Sequence, residues 1–418
     1  MKVLIVEEAL KTLHGHWFQY ISDIVNGGRE AGHEIEVAVH KDACPEILNA
    51  LPSRPILSST IFDPKTKSNG FKRVVSHNLS LYHDLSAFFA AGNSYDVVIA
   101  PTVRLDHLLA YGWLALRFQK RGFKKLVLIM IDSVGQYSPD YSQIHFPAKL
   151  LPLKCVLLLF RWMMKMRPVH LVAESAGHAR LFGKFCGIKF PVVPHVTVLP
   201  SLEPFQIKAK KTSGDPLVLG VFGFTRYDKG LDILQEAIKI LLQRHEKPKM
   251  RFVLQWTGDY QLPDGSWVRK DPALENSSTV QYIPAFSASD EYYEWLVLTD
   301  IMVLPYRKDF YYDKLSRVAI DAALAGMPFI YPAGTWLETF AGQCGTGVPF
   351  EPDNPKSLAD AICESAGKYP ELKPRAMAVK QSIGEAFSAR AFFDVIAKLP
   401  NTMNNTSMHS ECSIRNGY

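Results

Sequence analysis

The sequence predicts an α/β protein of two doubly wound parallel-sheet domains that face a central cleft. Three observations predict it. At 418 residues the chain is longer than one ordinary core organises. Short apolar runs of the kind found in buried parallel strands recur along it, each followed by a segment of helical periodicity. That alternation breaks once, at SLEPFQIKAKKTSGD (201–215), and then restarts.

KVLIV (2–6) is the first such strand. A helix from His16 to Glu30 follows, with Trp17, Ile21, Ile24 and Val25 at helical spacing and Gly32 placed to end it. EIEVAVH (34–40) then alternates as a strand. The pattern returns in the strand DVVIAPT (96–102), the helix HLLAYGWLALRFQ and the strands KLVLIMID (125–132) and VHLVAES (169–175). The 201–215 stretch gathers Lys, Ser, Gly and Pro without periodicity, as a linker does. Beyond it come the strand LVLGVFG (217–223), the amphipathic helix LDILQEAIKILLQRH and the strands RFVLQWTG (251–258) and VQYIPA (280–285). A helix containing EYYEWLVL and the strand IMVLPY (301–306) complete the series. The expected domains are residues 1–200 and 216–385. A helix at 386–400 is expected to pack back on the first domain, and the polar, aperiodic tail 401–418 is expected to be disordered.

Composition narrows the function classes. A hydrophobic share of 47% with 21% charged residues describes a globular protein. The formal charge of +6 suits an anionic ligand or an acidic membrane surface. No basic run is interleaved with aromatics, so nucleic acid is not an expected partner. Six cysteines without a C-x-x-C pair argue for neither a zinc site nor a disulfide framework, and so for a reducing, cytoplasmic setting. The N-terminal MKVLIVEEALK reaches Glu7 and Glu8 too soon for a signal peptide. LLPLKCVLLLFRWMMKM (150–166) is interrupted by Lys154, Arg161 and Lys165 and falls short of the roughly 20 apolar residues of a membrane span. It is either a half-buried helix of the fold or, over 149–167 with Lys149 and Arg167 flanking it, a basic-apolar helix resting on the inner membrane face.

Ligands of doubly wound sheets bind beyond the C-terminal ends of the strands, so residues just after strands carry the most information. In VFGFTRYDKGLDIL (221–234) a strand ends at Gly223 and a short loop presents Arg226 and Lys229 before a helix starts near Gly230. Two cations there suit a diphosphate, with the guanidinium as a forked donor and the ammonium as a point charge, unless both are merely solvated. After IMVLPY, the loop RKDFYYD precedes the helix SRVAIDAALAG, which Gly326 and Pro328 terminate. A helix start offers amides and partial positive charge to an anion, here the amides of Lys314 to Val318, including Leu315, Ser316 and Arg317. Asp313 and Asp321 would flank that anion, each meeting sugar hydroxyls. The competing readings make Asp313 an N-cap and Asp321 a solvated helix residue.

FGFTRYDKG, followed roughly 85 residues further on by D-x7-D-A-A-L-A-G-x-P, resembles the retaining glycosyltransferases of family 4 (glycosyltransferase group 1), which have the GT-B fold. The resemblance extends to KVLIV…REAGHEIEVAV, VAES (172–175), TDIMVLPY and PAGTWLE. It implies transfer of a hexose from a GDP- or UDP-linked donor to a glycan, lipid-linked saccharide or other acceptor hydroxyl, as in polysaccharide biosynthesis. It implies no cofactor and no metal. Carried over, Arg226 and Lys229 stabilise the leaving diphosphate, Asp313 holds the donor sugar and Asp321 the ribose. The base is read by backbone near Thr257–Tyr260 and Tyr282–Ala285.

The chain departs from the family in five places. Aspartate replaces glutamate at both acidic positions, and Ser316 stands where glycine is usual. LHGHWFQY carries Gly15 alone where two glycines approach the donor, so His14 and His16 either meet phosphate or sugar or face solvent. MIDSVGQY puts Asp132 and Ser133 where a histidine is common, and Asp132 would either orient the acceptor or serve structure. A nucleotide-sugar-binding scaffold without transfer and a sugar-nucleotide 2-epimerase remain the alternatives.

Overall fold

A computed structural model describes residues 1–13, 17–61, 70–131, 133–138, 140–208, 214–245, 249–286 and 289–400. Gly15, His16, Asp132 and the 401–418 tail, all singled out in the sequence, lie outside the described residues. The chain divides into two compact units. One comprises Met1–Val196 and the chain from Phe387; the other comprises Thr197–Ala386.

The first unit contains strands β1 (Lys2–Val6), β2 (Glu34–His40), β3 (Ser53–Leu57), β4 (Tyr95–Val103), β5 (Phe123–Met130), a short hairpin of β6 (Gln136–Tyr137) and β7 (Ile144–His145), and β8 (Val169–Ala173). Its helices are α1 (Trp17–Glu30), α2 (Pro45–Ala50), α3 (Gly70–Ala90), α4 (Leu108–Phe118), α5 (Leu151–Met166) and α6 (Ala176–Cys186). Six strands form one parallel sheet in the order β3-β2-β1-β4-β5-β8. Alternate strand residues face two apolar layers. Leu4, Val98 and Leu128 meet α3, α4, α5 and α6, whereas Val3, Ile5, Ile99 and Val127 meet α1 and α2.

The second unit opens with α7 (Glu203–Lys208) and continues through β9 (Leu217–Val221), α8 (Leu231–Leu242), β10 (Met250–Gln255), the hairpin of β11 (Tyr260–Gln261) and β12 (Trp267–Val268), α9 (Pro272–Glu275) and β13 (Val280–Ile283). Next come α10 (Ser289–Leu298), β14 (Ile301–Val303), α11 (Lys308–Tyr311), α12 (Arg317–Leu324), β15 (Phe329–Pro332), α13 (Trp336–Cys344), β16 (Gly347–Phe350), α14 (Pro355–Gly367) and α15 (Tyr369–Ala386). The sheet order is β13-β10-β9-β14-β15-β16, again parallel throughout. Counted within each unit, both sheets run 3-2-1-4-5-6, the doubly wound order whose switch point lies between the first and fourth strands. A last helix, α16 (Ala389–Lys398), belongs to the first unit and packs on α1 through Phe392, Phe393 and Ile396.

Two expectations need correction. The 201–215 stretch read as a linker contains α7, whose Phe205 ring lies 5.9 Å from Tyr293 of α10. That tertiary contact supplies what a helix of six residues lacks in isolation. The helix read as SRVAIDAALAG begins at Arg317, one residue later. Ser316 is extended, and its Oγ accepts from the Ala319 amide as the N-cap. Asp313 is therefore not the cap, and Lys314 and Leu315 precede the helix.

Candidate functional site

At the switch point of the second sheet, the loop after β9 and the loop after β14 lie against each other. The first loop turns at Gly223 (φ +119°), whose amide donates to Gln255 Oε1 at 2.7 Å. Thr225 and Thr257 then bond reciprocally, each amide donating to the other hydroxyl at 2.9 and 2.8 Å. Tyr227–Lys229 forms one 3₁₀ turn that closes at Gly230. Gly230 is obligatory twice over, with φ +65° and a would-be Cβ only 1.8 Å from the Pro305 carbonyl oxygen. Arg307 clamps this turn to the β14 loop. Its amide donates to Asp228 O and its Nε to Tyr227 O, both at 3.1 Å, while the guanidinium pairs with Asp232 and Asp353.

Lys229 is the residue most shaped by this packing. Its Nζ donates to Tyr311 Oη at 2.6 Å and sits 3.8 Å from the ring centre of Tyr306. Burial pushes its ammonium down to about 7; Asp228 opposes that shift and Arg226 adds to it. The Tyr306 hydroxyl lies 3.5 Å from Ser316 Oγ, so two tyrosines connect Lys229 to the start of α12. Arg226 is more open, its guanidinium 3.1 Å from Asp228. Thus Gly223, Arg226, Lys229 and Ser316 are brought to one place. Asp313 is buried just before the helix, at 6% exposure, and Leu315 and Arg317 flank the cap. Asp321 is 4% exposed and already engaged. Tyr292 Oη donates to its Oδ2 at 3.0 Å, and Arg317 Nε lies 3.8 Å from Oδ1.

Sequence reasoning missed Tyr306, Tyr311, Arg307 and Tyr292. For the first three the available signal was the run PYRKDFYYD immediately after a buried strand; for Tyr292 it was the tyrosine pair in EYYEWLVL. An open pocket of about 600 Å³ adjoins the same loops at the end of β10, lined by Trp256, Thr257, Gly258, Asp259, Arg269 and Lys270.

The switch point of the first sheet holds a buried polar hub. Glu7 follows β1, accepts from Thr102 Oγ1 at 2.7 Å and from the Ala9 amide at 3.0 Å, and burial pushes its carboxyl up to about 7. Burial works the same way on Glu8, but His107 and His77 more than offset it, so Glu8 stays ionised well below the usual range. The Nε2 atoms of His77 and His107 approach its carboxylate at 2.9 and 3.3 Å. These three side chains form the group of metal-ligating geometry among the described residues. They do not fit an ion. His107 Nδ1 accepts from the Arg104 amide at 3.0 Å, so the neutral ring carries its proton on Nε2 and has no lone pair there to coordinate. Two remaining ligands are fewer than a zinc site uses.

Paired doubly wound units with a cation loop and a helix start at the second switch point define the GT-B class of glycosyltransferase fold. Residues 216–367, all within the second unit, match the family model described as "Glycosyl transferases group 1". No curated protein matches the chain. Solved structures of similar fold include a glycosyltransferase from Rickettsia africae (16% identity, TM-score 0.61, covering 95% of this chain and 96% of that one). A sucrose-phosphate synthase from Thermosynechococcus elongatus is similar at 13% identity and TM-score 0.65, covering 96% and 98%. HepE from Anabaena, solved in complex with UDP, is similar at 16% identity and TM-score 0.59, covering 95% and 98%.

Proposed function

We propose that the chain is a retaining, metal-independent hexosyltransferase that takes a sugar from a UDP- or GDP-linked donor. The acceptor is a glycan or lipid-linked saccharide, and the setting is the cytoplasm or the inner face of a membrane. The observation that carries this is Lys229, an ammonium held among Tyr306, Tyr311 and Asp228 beside the start of α12. An arriving diphosphate would supply the charge that burial denies it. Arg226 offers a second, more exposed cation, and the first α12 amides, of Arg317 and Val318, offer dipoles. Protein groups thereby neutralise the leaving group. Asp313 is assigned to the donor sugar hydroxyls, and the 600 Å³ pocket beside Thr257 to the base.

A ribose on Asp321 must share the carboxylate with Tyr292 and Arg317. Those contacts are what favour the second possibility, a nucleotide-sugar-binding scaffold that does not transfer. The test is calorimetric titration with UDP, GDP and ADP, uracil first because HepE is solved with UDP and UDP-glucose. One diphosphate should bind and Lys229→Ala should weaken it, while transfer by that variant should fall by roughly 10²–10³-fold, the worth of one preorganised charge donor in the transition state. Transfer at full rate by Lys229→Ala would overturn the assignment. Binding without transfer to any acceptor would put the scaffold first.

A further inference from the structure

Helix α5 shows three distinct faces. Leu157, Phe160, Met163 and Met164 are buried against the sheet. Leu151, Leu158, Leu159, Trp162 and Met166 fall on a second face and are 43–63% exposed. Lys154, Arg161 and Lys165 run along the edge of that face at helical spacing, and all three are exposed. A helix that only covers a sheet needs apolar residues on its inner face alone. Among the described residues, this outer stripe is left largely open to solvent.

Helix α4 packs beside α5 at Gly112, where a Cβ would meet Phe160 at 3.5 Å, and it exposes apolar residues of its own. Trp113 and Leu116 of α4 are 40% and 42% exposed, with Arg117 beside them. Neither helix contains an Asp or Glu. No helix among the described residues is long and apolar enough to cross a membrane, so this face can rest on a bilayer but not span it.

We propose that the α4–α5 face is a docking surface for an anionic lipid bilayer. Trp162, Trp113 and the leucines enter the boundary between headgroups and acyl chains, while Lys154, Arg161, Lys165 and Arg117 meet lipid phosphates. Charge decides the occupant. A second copy of this chain would bring the same cations to the interface, and neither helix holds an acid to receive them. An anionic leaflet supplies that counter-charge everywhere. The assignment does not rest on glycosyl transfer, and its test uses no sugar nucleotide.

The experiment is co-sedimentation of the full chain with vesicles of phosphatidylcholine, with and without phosphatidylglycerol, at low and high NaCl. Binding should require phosphatidylglycerol and weaken with salt. Trp162→Asp should reduce it by more than about tenfold, and so should Lys154→Gln combined with Lys165→Gln. Circular dichroism confirms that these exposed changes leave the fold intact. Absence of binding to phosphatidylglycerol vesicles would overturn the proposal, as would binding indifferent to both substitutions. Self-association in sedimentation velocity that Trp162→Asp abolishes would also overturn it, by giving the face to a second copy.

Discussion

At the scale of single residues, Lys229 links structure to a measurable proton. In the free protein burial holds its ammonium at about 7, well below the usual lysine value of about 10.4. A bound diphosphate favours the charged form and raises that value. Binding therefore takes up a proton wherever the pH lies above 7 and below the pKa of the complex. Affinity should fall as pH rises through 7, by at most about tenfold per unit. Titration at pH 8 in buffers of different ionisation enthalpy should show uptake approaching one proton, and none at all would remove Lys229 from the anion site. For folding the sign is opposite to that of a stabilising ion pair. Between pH 7 and about 10.4 the unfolded chain binds the extra proton, so this group adds to stability as pH rises across that window. The sequence exposed Lys229 through its place after a strand. It concealed the cage, because Tyr306 and Tyr311 are neighbours only once β9 and β14 pair.

At the scale of elements, α12 was legible as a helix but not in its internal chemistry. Ile320, Ala322 and Ala323 mark its buried side, and Asp321 sits among them. A carboxylate in that position requires partners, and Tyr292 from α10 and Arg317 from its own first turn supply them. Asp321→Ala should strand both and cost about 1–3 kcal/mol. For a domain of this size that is a fall of roughly 2–4 °C in Tm per kcal/mol. Asp321→Asn keeps an acceptor for Tyr292 and should cost less. If Asp321→Ala melts with the parent while nucleotide affinity collapses, the carboxylate serves a ribose and its protein contacts are incidental. Helix α3 was passed over in the sequence for a related reason. Its inner face carries His77 and Asn78, which serve Glu8 and the Asp106 and Val74 carbonyls, and these polar residues break the apolar periodicity. Buried polar networks erase the pattern by which helices are recognised.

At the scale of the whole molecule, two parallel sheets were legible, though not their strand order, because buried parallel strands are continuous apolar runs, whatever their partners. The return of α16 to the first unit is a stronger constraint than a terminal helix suggests. Gly28 of α1 is bare where Phe393 arrives, and a Cβ there would lie 2.5 Å from the ring. Lys125 at the start of β5 donates to the Ile396 and Leu399 carbonyls at 3.0 and 2.7 Å, capping the C-terminus of α16 from the sheet. The stability of the first unit thus depends on residues translated after the second unit is complete. Phe393→Ala should cost the first unit about 3–5 kcal/mol, the usual range for emptying a buried aromatic site. Because Phe393 packs within the first unit, against Gly28 and His33, nucleoside diphosphate affinity should stay within about twofold of the parent. Saturating diphosphate at 100 times its Kd should still stabilise the second unit by about 2.7 kcal/mol. Scanning calorimetry with and without the nucleotide separates these effects. A variant that melts like the parent would show that α16 adds little to the first unit. A variant that loses nucleotide affinity in step with stability would show that the two units fold as one.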